Sequence, residues 1–249
     1  MTLNIAAYRF TPIDDPDALV AQLRERAETL ALLGTILVAE EGINLFLAGA
    51  ADPVARFISG LRGDPRFSDI AFKTSVSDAA PFVRLKVKRK REIISFRRDR
   101  CSPLQGRAPA LAPATLARWI EQAHDDDGKR LVLLDTRNRD EVRHGTFTGA
   151  LTLPIERFTD LPDAVEARRD DLEDATIVSF CTGGVRCEKA ALWMQANDLG
   201  PVWQLDGGIL GYFEQVGDYG YAGRCFVFDQ RVALEPSLLP MADGAPFPD

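Results

Sequence analysis

The sequence predicts an α/β protein built as two domains of different type, an α+β domain over residues 1–100 and a parallel-sheet α/β domain over residues 114–225. Three observations lead there. The opening residues alternate strand-like and helix-like segments in the order β-α-β-β-α-β. The second half sets short, wholly apolar runs between helical patterns, as strands buried on both faces of a parallel sheet do. Between the halves, "RCSPLQGRAPALAP" holds three prolines and one glycine and reads as a linker over residues 101–113.

The first strand is "LNIAAYRF". "DPDALVAQLRERAETLALLG" follows as a helix, with Asp15 as its cap and Gly34 as its stop. "TILVA" and "INLFLAG" are short apolar strands around "EEG", a turn signal. A second helix, "DPVARFISGLRG", takes Asp52 as cap with Pro53 in its first turn, and "IAFKTSV" is the next strand. This is the split βαβ order of ferredoxin-like domains. Val83, Leu85 and Val87 then alternate with Arg84, Lys86 and Lys88, which predicts a half-buried strand in "FVRLKVK". "EIISFR" reads as another, both extending the sheet.

In the second half "PATLARWIEQAH" is a helix, "RLVLLDTR" a buried strand, "GALTLP" a short strand and "ATIVSFC" a second buried strand. "VRCEKAALWMQAND" is the following helix and "VWQLDGG" a further strand. Residues 226–249 read as a C-terminal tail that fades into proline and small residues.

Hydrophobic content of 46% and charged content of 27% fit an ordinary globular protein. No run of roughly 18 apolar residues predicts a membrane span. "MTLNIAAYRF" lacks the basic-then-apolar layout of a secretory leader. Four cysteines without a CxxC pair, and two histidines, make neither a disulfide framework nor a zinc cluster. A reduced, cytoplasmic protein without a metal is expected. The net charge of −7 conceals a basic strip, "RLKVKRKREIISFRRDR", with nine basic residues against Glu92 and Asp99. Such a strip calls for an anionic partner. Phosphate contacts would come from Arg84, Lys86, Lys88, Arg89, Lys90 and Arg91. Phe82 and Phe96 either stack on bases or belong to the core. The plainer alternative is a solvated strand whose charges guard a sheet edge.

The stretch "VSFCTGGVRCEKAALWM" carries the chemistry. It runs strand, "CTGGVR", helix, and so puts Cys181 at the carboxyl end of a strand, where open α/β sheets bind ligands. Gly183 and Gly184 let the backbone curl into an anion-binding nest from Thr182 through Val185 to Arg186. The helix start adds its dipole and Arg186 a full charge. Cysteines so placed ionise at roughly 3.5–7.5, and Cys181 is expected to be a nucleophilic thiolate. The alternative is a buried cysteine acting as a small hydrophobe. Cys187, in the first turn of the helix, either packs against the sheet, the plainer reading, or serves as a redox partner by transient disulfide with Cys181. Cys101 and Cys225 receive no role.

"CTGGVRCEKAA" resembles the active loop of rhodanese domains, "LLDTRNRDEVRHGTFTGALTLP" their upstream Asp-x-Arg motif, and "LDGGILGY" their closing strand and turn. Together with "ILVAEEGIN" and a late "GRCFVFDQR", the pattern is similar to the rhodanese-containing tRNA uridine hydroxylase family over residues 3–231. The resemblance implies a rhodanese-like second domain and oxygen-dependent 5-hydroxylation of the wobble uridine of tRNA, with Cys181 essential. It implies Asp135 and Arg137 as braces of the loop; the activity also needs a way to hold RNA, which the charge of the basic strip supplies. The Gly-His of the family is displaced here to "HGTF", so nothing rests on His144. No cysteine-rich C-terminal extension follows, and no metal is carried over.

A phosphatase would use Cys-x5-Arg, whereas this loop is Cys-x4-Arg, a shorter cradle that suits a smaller group than phosphate. A rhodanese-type thiosulfate or persulfide sulfurtransferase, holding a persulfide on Cys181, is the alternative activity. Rhodanese-like binding modules usually lack the loop cysteine, which is present here. Neither "AEEGIN" nor "LDGGILG" is a dinucleotide fingerprint, so no cofactor is evident and molecular oxygen is the expected co-substrate. Oligomeric state and electron source are not legible.

Overall fold

The opening residues form a strand, β1 (Thr2–Phe10), in the computed structural model, which describes residues 1–239. Helix α1 (Pro16–Thr29) follows, then the hairpin β2 (Leu33–Ala39) and β3 (Gly42–Gly49), helix α2 (Ala51–Arg62), β4 (Lys73–Ser77) and β5 (Leu85–Arg89). The sheet order is β4-β1-β3-β2-β5. The first four strands pair antiparallel, as the split βαβ order requires, and β5 adds in parallel to β2 at one edge. Ile36, Val38, Ile43, Leu45 and Leu47 on the sheet pack with Leu19, Leu23, Ala27, Phe57 and Leu61 of the helices. Each such large apolar side chain contributes about 1.5–3 kcal/mol by leaving water.

Chain contacts divide the molecule into one unit of Met1–Ser95 with Phe228–Arg231, and a second of Phe96–Val227 with the described residues from Val232 on. The first boundary therefore falls at Ser95, ahead of the expected residue 100. Phe228–Arg231 count with the first unit, where Gln230 N–H donates to the Pro81 carbonyl and Arg231 Nη1 to Ser75 Oγ. Of the predicted tail, residues 240–249 lie outside the described residues.

Several local expectations need correction. Helix α1 ends at Leu30, with Ala31 turning the chain at φ 51°, and not at Gly34. Gly34 instead sits in β2 at φ +132°, where a Cβ would lie 2.1 Å from the Phe46 carbonyl oxygen. It is glycine because the neighbouring strand's backbone occupies the side-chain position. The N-cap of α2 is Ala50, not Asp52, which lies in the first turn and helps through the helix dipole. "EIISFR" forms no strand. Its polar backbone is met by side chains, Ile93 N–H donating to Glu41 Oε1 (2.8 Å) and Asn44 Nδ2 to the Ile93 carbonyl (3.3 Å). The segment extends no sheet.

In the second unit the predicted linker contains a strand, β6 (Ala110–Leu111), and Cys101 within it is buried. Two residues carry no readable period, but they pair with an edge that would otherwise be open. Then come α3 (Pro113–Gln122), β7 (Arg130–Asp135), α4 (Arg139–Val142), β8 (Gly145–Phe147), β9 (Leu151–Thr152), α5 (Leu161–Glu166) and α6 (Arg169–Leu172). They are followed by β10 (Ala175–Phe180), α7 (Val185–Ala196), β11 (Val202–Leu205), α8 (Gly208–Gln215), β12 (Tyr221–Gly223), β13 (Cys225–Phe226) and β14 (Ala233–Leu234). The main sheet, β6-β11-β10-β7-β9, is parallel throughout. Its centre is β10, whose six residues are all buried. Among the described residues no helix is long and apolar enough to cross a membrane.

Gly34→Ala should destabilise the protein by about 1–3 kcal/mol, the scale of a strained backbone position. Urea unfolding followed by circular dichroism measures it, and an unchanged midpoint would contradict the close strand approach described.

Candidate active site

Strand β10 ends inside the sheet and delivers Cys181 to the carboxyl edge, with the sulfur-bearing residue 1% exposed. The chain then turns over Thr182 and Gly183 to Gly184, whose φ of +100° starts α7. That curl aims the Gly184 N–H at Cys181 Sγ, 3.1 Å away. At Gly183 a Cβ would meet nothing within 4 Å, so packing does not demand glycine there. Val185 opens the helix, and the Arg186 backbone N–H also reaches the sulfur.

The loop's carbonyls are turned away from the sulfur by an element whose sequence reads as a strand end and turn. Gly207 and Gly208, at φ 70° and 63°, start α8, and Ile209 and Leu210 N–H groups donate to the Cys181 and Thr182 carbonyls at 2.9 and 3.0 Å. A Cβ on Gly208 would stand 2.5 Å from the Cys181 oxygen, so only glycine fits. The Gly-Gly pair is only a weak sequence signal for this helix start. From the other side, Thr182 Oγ1 donates to the Phe226 carbonyl at 3.3 Å, and the Cys225 thiol bonds to Thr182. Cys225, given no role from sequence, is thus packed against the loop; burial pushes its thiol up to about 12.

Arg186 is buried, and its guanidinium grips Glu141 with both arms, at 2.5 and 2.7 Å. Sequence reasoning missed Glu141. Its signal was weak: the third residue of a four-residue helix, α4, where Glu141 Oε1 also accepts from the Asn138 N–H. Asp135 and Arg137 are fully buried and paired, Arg137 Nε to Asp135 Oδ1 at 2.9 Å and Nη2 to Oδ2 at 2.6 Å. Arg137 also holds the Gly145 carbonyl, and Asp135 accepts from Thr146 Oγ1. Between them, Thr136 bonds the Phe180 carbonyl through both its N–H (3.0 Å) and its hydroxyl (2.9 Å), which fixes the residue before Cys181.

Cys187 lies in the first turn of α7, fully buried, its N–H on the Gly184 carbonyl at 3.0 Å and its sulfur 3.6 Å from Thr136 Oγ1. Its thiol hydrogen-bonds to the Cys181 sulfur. Burial alone would push both thiols up. At Cys181 the Cys187 bond, the Arg186 charge and the Arg186 and Gly184 N–H groups overcome it and bring the sulfur down to about 5. At Cys187 burial and the neighbouring Cys181 charge both act upward, so this thiol keeps its proton. All four cysteines are free.

Of the basic strip, Arg84, Lys88, Lys90 and Arg91 are exposed and Lys86 half-buried. Arg89 is already engaged with Asp17 (2.5 Å) and Glu40 (3.3 Å). Lys86, Lys88 and Arg89 lie on β5, an edge strand, with Arg84 just before it and Lys90 and Arg91 just after. Phe96 is core, stacked on Phe158 at 4.7 Å, so it is not a base platform.

Residues 2–93 match the UPF0176 acylphosphatase like domain and residues 116–215 the rhodanese-like domain. A Xanthomonas campestris pv. campestris (strain 8004) protein named tRNA uridine(34) hydroxylase is 62% identical over 245 residues, covering 98% of this chain and 97% of its own. One of the same name from Xanthomonas axonopodis pv. citri (strain 306) is 63% identical over 98% of each chain. A Xylella fastidiosa (strain 9a5c) protein, also so named, is 56% identical over 97% of this chain and 94% of its own.

Because the lowered value favours the deprotonated form, Cys181 should be a thiolate above about pH 5 and a thiol below it. The rate of its alkylation by a small haloacetamide, followed by peptide mass spectrometry, should climb through that pH and be level at neutrality. A rate still rising at pH 8, near the ordinary thiol value of about 8.5, would contradict the geometry.

Proposed function

The chain belongs to the tRNA uridine(34) hydroxylase family, and from that premise we propose that Cys181 is the nucleophile with which it hydroxylates the wobble uridine of tRNA. The observation that carries this reading is the Gly184 N–H aimed at a buried sulfur. The thiolate adds to C6 of the uracil ring and shifts electron density to C5. That carbon takes one atom of molecular oxygen, the proposed co-substrate, while a two-electron donor reduces the other to water. Loss of the C5 proton and of the thiolate restores the ring. Arg186 and the loop N–H groups, fixed before substrate arrives, stabilise negative charge as it develops. The target base leaves its stack to reach the loop.

Binding falls to the strip on and beside β5. Its exposed cations suit a phosphate backbone, whose neutralisation dominates non-specific nucleic-acid affinity. Arg89 is the exception, since Asp17 and Glu40 already hold it. A tRNA substrate and four free cysteines support a cytoplasmic setting.

In a strain lacking the gene, mass spectrometry of tRNA nucleosides should find 5-hydroxyuridine derivatives restored by the wild-type chain. With Cys181→Ser they should fall by about a thousand-fold or more, the scale on which losing a nucleophile acts. Full restoration by that variant would refute the assignment. Replacing Lys88, Lys90 and Arg91 with Gln should weaken tRNA binding and flatten its salt dependence, by about 0.7 in log–log slope for each single-strand phosphate no longer neutralised. Filter binding across a salt series reads this, and an unaltered slope would remove the strip from the interface.

A further inference from the structure

Hydroxylating a carbon with molecular oxygen consumes two electrons beyond those of the C–H bond, and the Cys181 nucleophile is returned unchanged at the end of the reaction. The active site holds a second sulfur in contact with the first. Cys187 is fully buried, hydrogen-bonded to Cys181, and 3.6 Å from Thr136 Oγ1. Gly184 ties the two together, its N–H on Cys181 Sγ at 3.1 Å and its carbonyl on the Cys187 N–H at 3.0 Å. Disulfide closure needs a thiolate beside a second, oxidised sulfur, and the loop amides hold Cys181 as that thiolate next to Cys187.

We propose that Cys181 and Cys187 together are the two-electron donor of the hydroxylation, closing to a disulfide once per product. The proposal rests on Cys181 as the nucleophile. After Cys181 adds to C6, the electron pair at C5 combines with oxygen and a proton to give a C5 hydroperoxide. The Cys187 sulfur attacks the outer peroxide oxygen and the O–O bond breaks. Cys187 becomes a sulfenic acid, and its proton goes to the oxygen left on C5. The C5 proton and the Cys181 thiolate then leave, giving 5-hydroxyuridine. Cys181 attacks the Cys187 sulfenic acid and expels hydroxide, which takes up the released proton as water. In sum, uridine, oxygen and two thiols become 5-hydroxyuridine, water and one disulfide. A dithiol reductant resets the pair by exchange.

The test uses the full chain and an unmodified tRNA transcript with uridine at position 34, in air and without reductant. Product should stop at one 5-hydroxyuridine per chain, with a Cys181–Cys187 disulfide in the peptide map, and resume on adding a dithiol. Cys187→Ser and Cys187→Ala should lose that single-turnover product. Cys187→Ser should still trap a covalent Cys181 adduct on tRNA carrying 5-fluorouridine at position 34. Many products per chain without reductant, a stalled enzyme with both thiols free, or wild-type yield from both variants would each overturn the proposal. Should the variants fold poorly, the wild-type disulfide map decides alone. Absence of the adduct in wild type is a different failure, that of the nucleophile itself.

Discussion

One hydrogen bond governs the second unit: the Gly184 N–H on the buried sulfur of Cys181. Taking a charged sulfur out of water is costly, and a thiol in such a place ordinarily keeps its proton. Here the opposing influences come from main chain and from one helix. The positive φ at Gly184 turns the amide inward, α7 brings the Arg186 N–H and charge, and α8 draws the loop carbonyls outward. Even Arg186 is restrained, since Glu141 takes both arms of its guanidinium. The sulfur therefore meets a balanced field, strong enough to ionise it without leaving an unpaired buried charge beside it.

The parallel sheet exists to hold that arrangement still. Strand β10 is buried along its whole length, and Thr136 fastens its last residue from the neighbouring β7. Asp135 and Arg137, paired and fully buried, lock the end of β7 in turn. Each support is one step further from the sulfur and equally dry. Pairs of this kind cost much to break because the partner left behind is charged and desolvated.

The central chemistry was legible because it is local in sequence. A wholly apolar strand, a cysteine, two glycines and a helix pattern occur in one run, and the structure assembles them where the pattern says. The tRNA-hydroxylase resemblance, read on "CTGGVRCEKAA", "ILVAEEGIN" and "GRCFVFDQR", agrees with the relatives found. What escaped depends on distant partners. Gly34 ends no helix because the Phe46 backbone, close in space, decides its residue type. "EIISFR" has the composition of a strand, yet Glu41 and Asn44 meet the Ile93 backbone instead of a neighbouring strand. Glu141 and α8 were missed because a buried carboxylate and a Gly-Gly helix start have weak local signatures. Phe96 offered two readings, and only its stacking on Phe158 chooses the core.

The donors that face the sulfur are amides fixed in a dry loop, whereas the cations along β5 stand in solvent. Mobile ions reach the second set and not the first. Under the proposed tRNA contact, ionic strength controls how long a nucleic acid stays and leaves the reactivity of the sulfur alone. In cells whose potassium rises and falls with osmotic stress, such a protein would vary in occupancy while each bound encounter proceeds at an unaltered pace.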